Sequence, residues 1–196
     1  MSIENQAYKA LRHSLESYAP ISDATWQAFT AVTHFKRCGK HLLLYRAGEI
    51  PTTFAYVYQG LVRCFVMDER GNEYNKIFFA EGMFPGAMTA LLTATPSHHA
   101  FETLEDSLMI EIDFAGYRKL MHDNNELKLF QIYYLEKNWL LAKDAREVEI
   151  VQQDATERYL RFVREHPNLA ERLPQYHIAS HLGITPTQLS RIRKIL

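Results

Sequence analysis

Between about His41 and Ile112 the apolar residues come in short runs broken by turn residues: HLLLYRAGE, FAYVYQGLVRCFVMDERGNEYNKIFFAEGMFPG and FETLEDSLMIEID. The runs are rich in Val, Tyr, Phe and Ile, and Gly48, Gly60, Gly71, Gly82 and Gly86 interrupt them at roughly 10-residue spacing. Side chains of this kind suit a pleated, half-buried surface. The pattern therefore predicts an antiparallel sandwich or barrel, with no helix between Gly48 and Phe84. MDERGNEY is the clearest hairpin, with Gly71 able to take positive φ.

After Asp113 the period changes. FAGYRKLMHDN is a short helical pattern, and from about Asn124 the chain runs without Gly or Pro until Pro167. Leu127, Tyr134, Leu141 and Val148 recur every seven residues, Phe130 and Ala145 supply intermediate positions, and Lys137 interrupts the seam. One long helix is expected, its seam packed on its own domain or on a second copy of itself. Self-association is the expectation, because an acidic β domain offers little for so long a helix to cover. Asp154 and Glu157 then have the spacing of a capping box, and the helix through RYLRFVRE stops at His166-Pro167. The chain thus reads as α+β: a β domain with flanking helices over residues 1–123, a long helix and hinge over 124–152 with the hinge near Gln153, and a small helical domain over 153–196.

In YHIASHLGITPTQLSRIRKIL, Ile178 and Leu182 fall one turn apart, and Leu189, Ile192 and Leu196 three and four apart. Gly183 lies between the two sets, where a helix end favours a left-handed residue. Thr185 is placed to cap the next helix, with Pro186 in its first turn, and the small Ala179 suits a close helix crossing. This is the pattern of a helix-turn-helix, whose second helix enters the major groove of DNA. With Leu189 and Ile192 buried, the opposite face presents Thr187, Gln188, Ser190, Arg191 and Lys194, and Thr185 can donate to a phosphate. Gln pairs with adenine and Arg with guanine, whereas Arg193 and Lys194 suit phosphates better. The plainer alternative is a pair of amphipathic helices closing a small bundle with a solvated cationic tail.

Charge sharpens that choice. The net charge of -1 conceals 15 Lys+Arg against 20 Asp+Glu in residues 1–155, and 7 against 3 in residues 156–196. The basic C-terminal quarter suits an anionic partner. Cys38 and Cys64 read as ordinary thiols, and no Cys/His cluster has metal-ligand spacing, so no metal or cofactor is expected. MSIENQAYKALRHSLESYAP has no features of a secretory signal, and no apolar run approaches the roughly 20 residues of a bilayer span, so a cytoplasmic address is expected.

DATERYLRFV and HLGITPTQLSRI resemble the DNA-domain motifs of the Crp/Fnr family, typified by the cyclic-AMP receptor protein. GMFPG followed by EDSLMIEID resembles the family's cyclic-nucleotide-binding jelly roll. The resemblance covers about residues 20–196. It implies an effector domain, a dimerisation helix carrying Leu127, Tyr134, Leu141 and Val148, and two reading helices about 34 Å apart on a near-palindromic duplex. An unknown small-molecule effector would act through the jelly roll.

Departures from the family pattern fall on the nucleotide pocket. Its Gly matches Gly86, but the following Glu position is Ala87, next to Met88. The phosphate-pairing Arg position aligns with Ser97, or with His98 if the loop shifts by one. The base-facing helix positions align with Ala142 and Lys143. An anionic phosphate without a bidentate guanidinium loses its strongest partner, so cyclic AMP is not expected to bind in the usual way. His98 and His99 raise the idea of a metal, haem or pH-sensing pair, against the plainer reading of two solvated loop histidines. Lys143 likewise suits either a small anion or solvent. Family members also continue past the recognition helix into a β wing, for which this sequence has no residues; weaker binding with a flatter salt dependence is the expectation.

The expected function is a homodimeric DNA-binding transcription regulator. The alternative is a small-molecule-sensing or protein-interaction module that has lost sequence-specific DNA binding. An enzyme is not expected: cupin-type chemistry on a jelly roll draws on convergent His and carboxylate ligands, and His41, His98 and His99 form no such set.

Overall fold

The computed structural model of the chain describes residues 1–141 and 154–196. Ala142, Lys143, Ala145, Val148 and the hinge near Gln153 lie outside the described residues. The chain divides into two compact units, Met1–Cys64 with Phe78–Ala142, and Phe65–Ile77 with Lys143–Leu196.

The first unit opens with two helices, α1 (Ile3–Glu16) and α2 (Asp23–Thr30). Ser2 and Ser22 accept from the amides of Asn5 and Thr25 and so satisfy early orphan donors of each helix. Ala7, Leu11 and Leu15, spaced four apart along α1, are fully buried. Strands follow: β1 (Thr33–Cys38), β2 (Leu43–Tyr45), β3 (Thr53–Gln59), β4 (Val62–Met67), β5 (Glu73–Phe79), β6 (Ala100–Thr103) and β7 (Ser107–Asp113), with α3 (Met88–Thr93) between β5 and β6. One sheet has the order β1-β7-β3, the other β2-β6-β4-β5, so that β5 is an edge strand. Antiparallel register places Ile110 of β7 opposite both Phe35 and Tyr56. The strand-rich stretch and its helix-free span from Gly48 to Phe84 follow from the β-branched and aromatic runs.

Two aromatic groups fill this unit. Between the sheets, Phe101 meets Tyr45 and Phe79 edge-on or tilted, at 5.4 and 5.9 Å between ring centroids. On the other side of β3 and β7, Phe54 contacts Tyr117 at 5.4 Å and Tyr117 contacts Phe29 at 5.9 Å. Tyr117 belongs to α4 (Phe114–Asp123), which is capped by Asp113 accepting from Gly116 N at 2.6 Å.

Beyond α4 the expected long helix runs without a break as far as it is described, to Leu141, but its period changes part-way. An α-helix, α5 (Asn125–Leu135), leads into a π-helical turn, Glu136–Leu140, where Asn138 donates to the Tyr134 carbonyl and the Tyr18 hydroxyl. The seam needs a correction as well. Leu127 is fully buried among α1, α2 and α4 residues, and Tyr134 packs on Tyr18, Phe84 and Phe130, a burial that pushes its phenol up to about 12. The first half of the seven-residue repeat is therefore covered by its own domain. Leu129, Ile132, Tyr133, Trp139, Leu140 and the seam residue Leu141 are between 42% and 64% exposed.

The second unit contains the β4–β5 hairpin tip and the C-terminal helices α6 (Ala155–Glu165), α7 (Pro167–Arg172), α8 (Gln175–Leu182) and α9 (Pro186–Ile195). In the tip, Asp68 accepts from the amides of Arg70 and Asn72, and Gly71 adopts φ +81°. The stop at His166-Pro167 is followed at once by α7, with Pro167 in its first turn.

Candidate nucleic-acid interface

The C-terminal helices are held by local devices that the sequence specifies. Asp154 accepts from the amides of Thr156 and Glu157, and the Glu157 carboxylate accepts in return from the Asp154 amide at 2.9 Å, closing a capping box on α6. On the same helix Phe162 is buried, and Arg158 donates to the carbonyl of Leu182 at the end of α8. The turn that follows has Gly183 at φ +69° with the Ile184 amide reaching back to the Ala179 carbonyl at 3.0 Å, which closes the end of α8. Ile178, Ala179 and Leu182 from α8 and Leu189 from α9 are buried. Ile192 is half-buried, and Leu196, expected to share the apolar face, is 63% exposed beside Ile195 at the last turn.

The opposite face of α9 is open. Thr187, Gln188, Ser190, Arg191, Arg193 and Lys194 are all exposed, and Thr185 is exposed at the cap. Thr185 and Gln188 nevertheless differ from the outward-reaching pair expected of them. The Thr185 hydroxyl accepts from the Gln188 amide at 3.2 Å and donates to Gln188 Oε1 at 3.1 Å, while the Thr185 amide donates to the same oxygen at 2.9 Å. Both side chains thus close the cap of α9, leaving Thr187, Ser190 and Arg191 as its outward polar face.

The other candidate site, the effector pocket, is packed rather than open at the described residues. A Cβ on Gly86 would lie 2.6 Å from the Phe54 Cβ, so this glycine is required by the close approach of its loop to β3. That loop pairs with the strand through Ala55 N donating to Pro85 O and Val57 N donating to Met83 O. Ala87 is buried, and Met88 packs on the aromatic core. Ser97 is buried, with its hydroxyl donating to the His99 carbonyl and accepting from the His99 amide, at 2.7 and 3.1 Å. His98 is exposed and His99 half-buried, and among the described residues no group of three or more His, Cys, Asp or Glu has the arrangement of a metal site. Cys38 and Cys64 are buried free thiols. A cleft of about 410 Å³ lies elsewhere, lined by Arg37, Cys38, Gly39, Gln59, Asp106, Ser107 and Leu108. No described residue of the expected pocket lines it.

Residues 35–124 match the family of the cyclic nucleotide-binding domain. No curated protein sequence matches the chain. Among solved structures, the c-di-GMP-responsive global regulator CLP of Xanthomonas campestris is similar over 89% of this chain and 91% of its own, at 19% identity and a TM-score of 0.69. FixK2 of Bradyrhizobium japonicum is similar over 84% of both chains, at 18% identity and a TM-score of 0.71. A protein of Eubacterium rectale assigned to the Crp/Fnr family of transcriptional regulators covers 91% of this chain, with 87% of its own covered, at 15% identity and a TM-score of 0.63. The chain has the Crp/Fnr-like fold. Its β-roll and C-terminal helices occupy the order that the motifs DATERYLRFV and HLGITPTQLSRI imply. Two contacts of this Crp/Fnr-like chain escape sequence reading: Arg158 to Leu182, and a group of polar contacts joining Asn75 to His177, Ser180 and His181. Such partners lie up to 106 residues apart, and no periodicity connects them. Among the described residues no helix is long and apolar enough to cross a membrane.

Proposed function

We propose that this protein is a DNA-binding transcription regulator of the Crp/Fnr type, with α9 as its reading helix. One observation carries the reading: a closed helix-turn-helix whose apolar side, at Leu189, is fully buried while Thr187, Ser190 and Arg191 face outward together. Arg191 is the base-reading residue, by its bidentate fit to guanine, and Arg193 and Lys194 neutralise phosphates. Gln188 and Thr185 take part once the cap they share reopens or through a water. Two copies pair through exposed apolar residues along α5 and the helix that continues it, Leu129, Ile132, Tyr133 and Leu141, and read a near-palindromic duplex. The role is regulatory and includes no catalytic step.

The effector is a small molecule other than cyclic AMP. Supporting this, Ala87 has no carboxylate for a ribose hydroxyl, and the Ser97 hydroxyl is already committed to the backbone of His99. A phosphate placed there meets no guanidinium from the aligned position.

Selection from a random duplex pool followed by gel shifts of wild type and Arg191→Ala tests the reading. The expected result is an enriched sequence that the wild type binds more tightly than scrambled DNA, with that preference reduced about tenfold or more in the variant. Equal binding of all duplexes by both proteins at low salt overturns it and favours a sensing module without base readout.

A further inference from the structure

The open edge of β5 is covered by α8. Strand edges carry backbone donors and acceptors that need partners. Here the partners are side chains of one helix face. The Ser180 hydroxyl accepts from Asn75 N at 3.0 Å and donates to Glu73 O at 2.7 Å, bridging two backbone groups of the edge. His181 Nδ1, one residue on, donates to Asn75 O at 3.1 Å. The Asn75 side-chain amide turns the other way and donates to His177 Nδ1 and to the His177 carbonyl, at 3.1 and 3.2 Å. Positions 177, 180 and 181 are three and four apart and so share one side of α8. Asn75 and His177 are 5% and 4% exposed, which puts the bonds between these two residues out of competition with water.

We propose that this clasp positions the reading helix: β5 fixes α8, and α8 fixes α9 through the Gly183 turn and the buried Leu189. Asn75 of the hairpin and α8 belong to one compact unit, so the clasp acts within that unit. Ser180 and Asn75 are positioning residues, since neither lies on the outward face of α9. The functional meaning rests on the DNA-reading proposal; the clasp itself does not.

Ser180→Ala in the full chain separates the clasp from helix propensity, because Ala is the better helix former. A residue important only within α8 would raise protection of that helix when so replaced. Hydrogen–deuterium exchange is expected instead to speed up about tenfold in residues 73–77 and 176–182, with Asn75→Ala doing the same and Arg70→Ala at the hairpin tip matching wild type. Unchanged or slower exchange in both clasp variants overturns the proposal. Binding to the selected duplex is expected to weaken about fivefold in Ser180→Ala. Lost protection with wild-type DNA affinity overturns the positioning role, whereas a wild type with a protected clasp and no duplex binding refutes the DNA-reading proposal alone.

Discussion

The guanidinium of Arg158 donates to the carbonyl of Leu182 at 3.2 Å, tying α6 to the last residue of α8 before the turn. That carbonyl belongs to a helix end, where acceptors lack partners within the helix. Replacing Arg158 with Ala leaves the acceptor to water and removes a charge-assisted bond, a loss of about 1.5–3 kcal/mol. Urea unfolding followed by helical circular dichroism is expected to show it; an unchanged midpoint would count against the contact.

Arg63 and Glu102 form a largely buried ion pair in the β-roll. Arg63 Nε and Nη2 lie 2.7 and 2.6 Å from Glu102 Oε2, and Arg63 is 6% exposed. Removing Glu102 takes a short charge-assisted partner from a largely buried guanidinium, so Glu102→Ala is expected to cost about 1.5–3 kcal/mol. The double replacement Arg63→Met with Glu102→Leu is expected to cost clearly less than the two single changes added together. Additive losses in a thermal-melt cycle would show that the pair does not act as a unit.

Gly183 and Ala94 offer a pair of changes with opposite signs. Both occupy left-handed backbone, at φ +69° and +52°. Gly183→Ala meets no atom within 4 Å, so its effect is the backbone cost alone, about 1–2 kcal/mol. Ala94→Gly at the end of α3 relieves the same kind of strain and is expected to raise stability by about 0.5–1 kcal/mol. Thermal melts read both, and equal signs would refute the argument.

Much of this was legible in single residues. Gly183, Thr185, Pro186, Asp154 and Glu157 act locally, within about four positions, and local chemistry survives in a linear reading. The strand region is legible for the same reason, its β-branched and aromatic runs and turn glycines being short-range. Leu127 and Tyr134 show where such reading fails. A seven-residue repeat says that one side is apolar, and does not say whether Phe84 and Tyr18 or a second copy cover it. Gly86 looked like part of a ligand cradle, although its partner is Phe54, 32 residues away in sequence and in contact through the fold. The N-terminal Ala7, Leu11 and Leu15 carried a readable four-residue spacing whose burial depends on β3 and β7.

Acid should loosen the contact between α2 and α5. The Thr25 hydroxyl and the Ser22 amide hold the Glu126 carboxyl below its ordinary range, and its Oε2 accepts from Ser22 N and Oγ at 2.9 and 3.0 Å. A lowered folded value means that the unfolded chain takes up the proton first. The stabilisation is therefore complete above the ordinary carboxylate range and is lost as pH falls through the lower folded value. Glu126→Gln is expected to lower the melting temperature at neutral pH and to flatten its fall on acidification. A variant whose acid limb parallels that of wild type would exclude Glu126 as a contributor.

The cyclic nucleotide-binding match spans residues 35–124, yet the core it needs does not stop at those limits. Ala7, Leu11, Leu15, Ile21 and Phe29 precede it, Leu127 and Phe130 follow it, and all pack in one cluster with Phe54, Ile110 and Tyr117. A fragment cut at the boundaries of the match would present that cluster's inner wall to water and is expected to aggregate. The matched segment is thus smaller than the packed cluster it belongs to, so dissection of this protein should begin at Met1 and keep α5 whole.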